Sequence, residues 1–253
     1  MLRSRIIPCL LVHNKGLVKT RKFSDPKYVG DPINAVKIFN EKEVDELFVI
    51  DIDATKNNSS PNFKMIKDLA VECRMPFCYG GGVKTVIHAK KIISLGAEKV
   101  AISSAILEDF DLCKKITKAI GTQSLVVILD VKKKLFGGYD IYTHNAKRKT
   151  NLNLKDVVNK LNNIGVGELV INSIDNDGNM KGYDINLAEF VRENCNIPLT
   201  ILGGAGSLDD IKFLIQKFKI IGASAGSLFV FKGKYRAVLI NYPDRKEKFQ
   251  LYK

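Results

Sequence analysis

One short pattern occurs twice in this chain. The segment Gly80-Gly81-Gly82-Val83-Lys84-Thr85, a helical stretch and Ala101-Ile102-Ser103-Ser104 are echoed by Gly203-Gly204-Ala205-Gly206-Ser207, a helical stretch and Ser224-Ala225-Gly226-Ser227. Gly81 and Ser104 are 23 positions apart, as are Gly204 and Ser227, and the copies are offset by 123 positions in a chain of 253 residues. A repeat of that length is half a protein rather than one unit of a solenoid, so the fold should consist of two similar halves, each carrying one copy of the same site.

Around the repeat, short β-branched runs alternate with amphipathic stretches along the whole length. Strands are expected at Ile6 to Val12, Leu47 to Asp53, Met75 to Tyr79, Lys99 to Ser103, Leu125 to Asp130, Glu168 to Ser173, Pro198 to Gly203 and Ile220 to Ala225. Helical patterns lie near 31–42, 61–73, 84–95, 108–119, 153–163, 184–194 and 208–217, with a shorter one around 233–240. Near-continuous apolar strands alternating with helices imply parallel pairing, and eight such units close into a ring. The expected architecture is therefore α/β, a single (βα)8 TIM barrel over residues 1–253 made of two half-barrels. An open doubly wound sheet would carry a glycine fingerprint directly after its first strand, whereas Val12 is followed by His13-Asn14-Lys15-Gly16.

Composition narrows the partners. Hydrophobic residues make up 45% and charged residues 26%, which suits a soluble protein with a large core. No apolar run approaches the roughly 20 residues of a membrane span, and MLRSRIIPCLLVHNK has too short an apolar stretch for a signal peptide, so a cytoplasmic location is expected. Cys9, Cys73, Cys78, Cys113 and Cys195 form no CxxC pair and are expected as reduced thiols. His13, His88 and His144 show no ligand spacing, so neither a metal nor a cofactor is expected. The net charge is +13, concentrated in two expected loops that follow strands, the first from His13 to Gly30 and the second after Asp130. One holds Lys15, Lys19, Arg21, Lys22 and Lys27; the other holds Lys132, Lys133, Lys134, Lys147, Arg148 and Lys149. Neither interleaves aromatics with base-reading residues, which disfavours nucleic acid and leaves an anionic small molecule.

Glycines between a strand and a helix let backbone N–H groups converge on an anion. Two such clusters across a barrel mouth would hold two phosphates of one elongated substrate, with Ser103, Ser104 and Ser227 as extra donors. The alternative is that the glycines serve only tight turns. Carboxylates at strand ends are the usual seat of barrel chemistry. Asp51, Asp53, Asp130, Asp175 and Asp177 fall there, and Asp130 is the best candidate for a general acid or base. Aligning the first strand, Ile6-Ile7-Pro8-Cys9-Leu10-Leu11-Val12, with the fifth, Leu125-Val126-Val127-Ile128-Leu129-Asp130-Val131, sets Leu11 opposite Asp130. At the other end, Arg5, Glu46, Lys99 and Glu168 each begin a strand, compatible with a ring of ion pairs whose residue types alone favour a stabilising role.

Over essentially its full length the sequence resembles the cyclase subunit of imidazole glycerol phosphate synthase. The likeness rests on RIIPCL at 5–10, VGDP at 29–32, DELFVIDIDA at 45–54, YGGGVKT at 79–85, LGAEKVAISS at 95–104, YTH at 142–144, DNDGNMKGYD at 175–184 and IPLTILGGAG at 197–206. It implies a barrel that binds a bisphosphorylated ribulosyl intermediate and takes ammonia from a glutaminase docked at its bottom as a heterodimer. It implies phosphate contacts at Gly81, Gly82, Ser104, Gly178, Gly204, Gly226 and Ser227 and a substrate contact at Lys19, with Asp51, Ser103 and Asp177 as further pocket residues. Arg5, Glu46, Lys99 and Glu168 match the family's ammonia gate.

Acid/base chemistry in that family is shared between two aspartates, one in each half. One corresponds to Asp130; the other falls at Leu11, an aliphatic side chain that cannot exchange a proton. Ser103, Cys78 and Asn172 also stand where the family has asparagine, threonine and threonine. A chain with the gate but half of the cyclisation machinery resembles the specialised second form of the subunit. That form is found with surface-polysaccharide (lipopolysaccharide, O-antigen) genes and associated with sugar amidation beside a sugar amidotransferase. The IIPCLLV, KYVGDPINAVKIFNEKEVDEL and YRAVLINYP segments resemble that subgroup closely. Two alternatives stay open: an authentic histidine-pathway cyclase, and a non-catalytic phosphate-binding activator of the glutaminase.

Overall fold

Eight parallel strands, β1 (Arg5–His13), β2 (Leu47–Asp51), β3 (Phe77–Gly80), β4 (Lys99–Ile102), β5 (Leu125–Lys133), β6 (Glu168–Ser173), β7 (Leu199–Leu202) and β8 (Gly222–Ala225), form the centre of the computed structural model, which describes residues 3–252. Each pairs with the next, and β8 pairs with β1 through Arg5 opposite Gly222, so the sheet closes on itself as a (βα)8 barrel. Closure leaves none of the eight barrel strands at an open edge and rules out the open doubly wound alternative.

The helices are α1 (Pro32–Glu41), α2 (Phe63–Glu72), α3 (Val86–Ser94), α4 (Ser104–Glu108), α5 (Phe110–Ile120), α6 (Leu154–Ile164), α7 (Ile185–Arg192), α8 (Leu208–Phe218), α9 (Ser227–Val230) and α10 (Arg245–Tyr252). Their buried stripes pack on the outside of the barrel to form the larger core. Inside, alternate strand residues Ile7, Cys9, Phe48, Cys78, Ala101, Val126, Ile128, Val170 and Leu202 form a second, smaller core. That apolar plug separates the two ends of the barrel. Among the described residues no helix is long and apolar enough to cross a membrane.

Three expectations need correction. The basic segments are ordered hairpins rather than irregular loops: Gly16–Arg21 pairs with β1 and with Ser24–Gly30, and Tyr139–Thr143 pairs with β5 and with Arg148–Asn153. The second is braced by ion pairs from Lys134 and Lys149 to Asp140, at 3.3 and 2.8 Å. No helix forms at 233–240; Phe231–Lys232 and Ala237–Val238 make a small hairpin whose turn contains Gly233 at φ +74°. The last helix begins later, where the Asp244 side chain accepts from Glu247 N at 2.8 Å. Finally, the helical pattern at 108–119 divides at Asp109, whose side chain caps α5 after α4 has ended.

Candidate active site

The carboxyl-terminal ends of the strands surround a cavity of about 740 Å³. Lys19, Asp51, Gly81, Gly82, Ser103, Ser104, Asp130, Asp177, Gly178, Gly204, Gly226 and Ser227 all line it, as does Leu11. Residues from both copies of the repeat therefore meet in one site. Asp53 and Asp175 are absent from its wall. The first pairs with His13 at 2.7 Å, and the second accepts from Lys133 N at 3.0 Å, anchoring the hairpin beyond β5.

The two short helices follow Ser103 and Gly226, at matched places in the halves. All eight longer helices have a side chain capping their first turn, while neither α4 nor α9 has one. Their first-turn N–H groups thus stand without a side-chain acceptor beside Ser104, Ala105 and Ser227 of the cavity wall, an arrangement suited to an anion. The turn role of the glycines is real as well. Gly81 has φ +123°, and a Cβ there would lie 2.5 Å from the Asp51 carbonyl oxygen.

Lys19, buried on the hairpin after β1, donates from Nζ to the Cys9 carbonyl. Burial lowers its pKa, with the nearby Cys9 and Asp177 opposing that shift. Its amino group also explains Gly226, where a Cβ would fall 2.6 Å from Lys19 Nζ. A Gly226→Ala variant should swing the flexible lysine out of place. The expected result is about tenfold weaker binding of inorganic phosphate by calorimetry with an almost unchanged unfolding temperature. Equal affinity would remove Lys19 from the anion site. Lys84, His144 and Arg148 also line the cavity, and none was singled out from sequence as a site residue. Lys84 lies two residues beyond the first glycine cluster, the one signal that could have flagged it. Burial, followed by the charge of Arg148, lowers the His144 pKa.

The carboxylates differ in how far they are committed. Asp51 accepts from Asp53 N and Ala54 N at 2.9 and 3.1 Å, which turns the chain at the end of β2 and shortens that strand relative to expectation. Asp177 accepts from Thr20 Oγ1 at 2.7 Å and Phe23 N at 3.1 Å, fastening the first hairpin over the barrel. Burial raises both pKa values. Asp130 has one hydrogen bond, to its Oδ1 from Asn172 Nδ2 at 3.0 Å. Burial pushes its carboxyl up to about 7; the Asn172 bond works against that shift and the charge of Asp177 adds to it. It can therefore give or take a proton near neutral pH.

At the opposite end, Arg5 binds both Glu46 and Glu168, and Lys99 binds both at 2.7 and 2.8 Å. Two cations and two carboxylates alternate in a closed ring beneath the apolar plug. Thr200 Oγ1 adds a bond to Glu168 at 2.5 Å.

A closed (βα)8 barrel with matched glycine and serine segments at its mouth and a ring of ion pairs at its base defines the class. The family model described as histidine biosynthesis protein matches residues 5–236, and the chain belongs to that family. A Vibrio vulnificus protein provisionally named imidazole glycerol phosphate synthase subunit hisF3 is 54% identical over 98% of this chain and 96% of its own length. One from Pseudomonas aeruginosa, provisionally named subunit hisF2 of the same synthase, is 50% identical over 96% of this chain and 97% of its own length. The imidazole glycerol phosphate synthase subunit HisF of Dictyoglomus turgidum is 35% identical over 91% of each chain. Within the family, the chain is a HisF-like cyclase subunit of the imidazole glycerol phosphate synthase type.

Proposed function

We propose that this chain is the ammonia-accepting, phosphate-binding subunit of a glutamine amidotransferase complex whose product is an amidated surface-polysaccharide sugar. The observation that carries the reading is Leu11, a hydrocarbon in the cavity wall that already holds Asp130. Cyclisation by two opposed carboxylates has lost one member, while the ring of Arg5, Glu46, Lys99 and Glu168 is complete. The numbered names hisF2 and hisF3 of its relatives are compatible with a specialised form.

In this reading a glutaminase docks over the charged ring and releases ammonia into the barrel. The paired glycine and serine sites hold a phosphorylated ligand across the mouth, and Lys19 supplies the buried cation. Asp130 exchanges protons with the nitrogen or with the group it attacks. A sugar amidotransferase carries the acceptor, a sugar amide that becomes an amidine as the ammonia nitrogen replaces its carbonyl oxygen, which leaves as water.

The test is turnover of the phosphoribulosyl formimino intermediate by the purified chain with excess ammonium salt, beside a Leu11→Asp variant. The natural chain is expected to bind the intermediate without turning it over, and the variant to gain measurable turnover. Turnover by the natural chain would instead make it a working histidine-pathway cyclase in which Asp130 suffices.

A further inference from the structure

We infer that Asn172 is the positioning residue for Asp130, its amide donating to the ionised carboxylate and reserving its oxygen for the protonated acid. The inference rests on the acid/base role given to Asp130 above. Among the described residues only two buried side-chain polar atoms lack a hydrogen-bond partner, Ser103 Oγ and Asn172 Oδ1. Asn172 is on β6 and Ser103 directly follows β4, the two strands either side of β5, which carries Asp130. An orphaned buried acceptor is rare in native proteins and calls for a physical reason.

For Asn172 the reason lies in its neighbour. Asn172 and Asp130 are directly paired across β6 and β5, and the only bond the Asn172 side chain makes is from Nδ2 to Asp130 Oδ1 at 3.0 Å. That donor matches a carboxylate, which can only accept. Once Asp130 takes up a proton, its O–H becomes a donor and needs an acceptor. Rotation of the amide about its last side-chain torsion would turn Oδ1 toward it. No other bond would be broken, because Oδ1 has no other partner. A side chain with both a donor and an acceptor can thus follow the carboxyl through a proton-transfer cycle, whereas leucine could serve neither state.

The other groups that set the field at Asp130 belong to neighbouring elements. Asp177, on the segment after β6, adds like charge to Asp130. Cys9 on β1 also feels the charge of Asp130, and Lys19 is the cation close to both Cys9 and Asp177. Asn172 is the one group among them bonded to the Asp130 carboxyl.

Carbon-13 NMR titration of the Asp130 carboxyl in the full chain tests this without any turnover. The wild-type carboxyl and the Asn172 side-chain amide signals are expected to move with the same midpoint. Asn172→Leu should raise the Asp130 midpoint by about one pH unit, since it removes the bond that favours the charged form. Asn172→Thr, which keeps a donor and an acceptor, should restore most of the shift. Equal midpoints in wild type and Asn172→Leu, or amide signals indifferent to the Asp130 titration, would overturn the inference. A shifted midpoint in a chain with no ammonia-dependent activity would leave it standing and reject the amidation reading instead.

Discussion

Asp130→Asn is expected to lower ammonia-dependent product formation by about 10²- to 10⁴-fold, the usual contribution of a positioned acid or base. Asparagine keeps the shape of the side chain but cannot exchange a proton, so phosphate binding and the stimulation of a glutaminase should survive. Thermal stability should respond in the opposite sense. Burial raises the folded-state carboxyl from 3.8 to about 7, so the folded protein holds this proton more tightly than the unfolded chain between those values. Stability from this group is complete below the lower value and is lost as pH rises through the upper one. The variant has no such loss. It should melt together with the wild type near pH 4 and above it at pH 8, and a thermal scan at the two pH values reads the difference directly. A constant gap would mean that Asp130 titrates as an ordinary surface aspartate. No change in either product formation or glutaminase stimulation would favour the scaffold alternative.

Much of this site could be read from residue order, because the repeat fixed the spacing of its two halves and the barrel converts that spacing into opposition across one mouth. Strand alternation was equally plain, and all eight barrel strands overlap their expected positions. What escaped depended on contacts between distant segments. The basic segments looked like loops because charge masks their alternation, yet Asp177 reaches across from the end of β6 to Thr20 and Phe23 and holds the first as a hairpin. Asp51 and Asp177 both sit at strand ends and are equivalent by position, but their backbone partners separate them from Asp130. The helix expected at 233–240 failed for a local reason: Gly233 takes a left-handed turn that folds the segment into a hairpin. Its neighbour Arg236 then binds the Gly178 carbonyl at 3.0 Å, a bond that no pattern within 233–240 foretells.

Lys99→Met should be among the most destabilising single changes in the chain. The Glu46 and Glu168 side chains are 3% and 2% exposed, and each depends on both cations. Removing Lys99 leaves two buried carboxylates sharing Arg5, and breaking a buried ionic network in this way typically costs about 3–5 kcal/mol. For a chain of this size that is a fall in melting temperature on the order of 10 °C. The pH dependence identifies which carboxylate yields. Burial favours protonation of both, but Arg5 and Lys99 outweigh it at Glu168 and hold its pKa down, whereas burial and the facing Glu168 leave that of Glu46 raised. In the variant Glu46 takes up a proton more readily still, so the deficit should be largest at alkaline pH and shrink as pH falls. Adding Glu46→Gln removes the surplus negative charge and should recover most of the lost stability, a coupling of about 2 kcal/mol between adjacent sites. If the double variant loses the sum of the two single losses, the four charges do not act as one ring. If it recovers, the ring is an electrostatic unit, and the ammonia entry proposed above would require moving a side chain whose bonds hold the base of the barrel together.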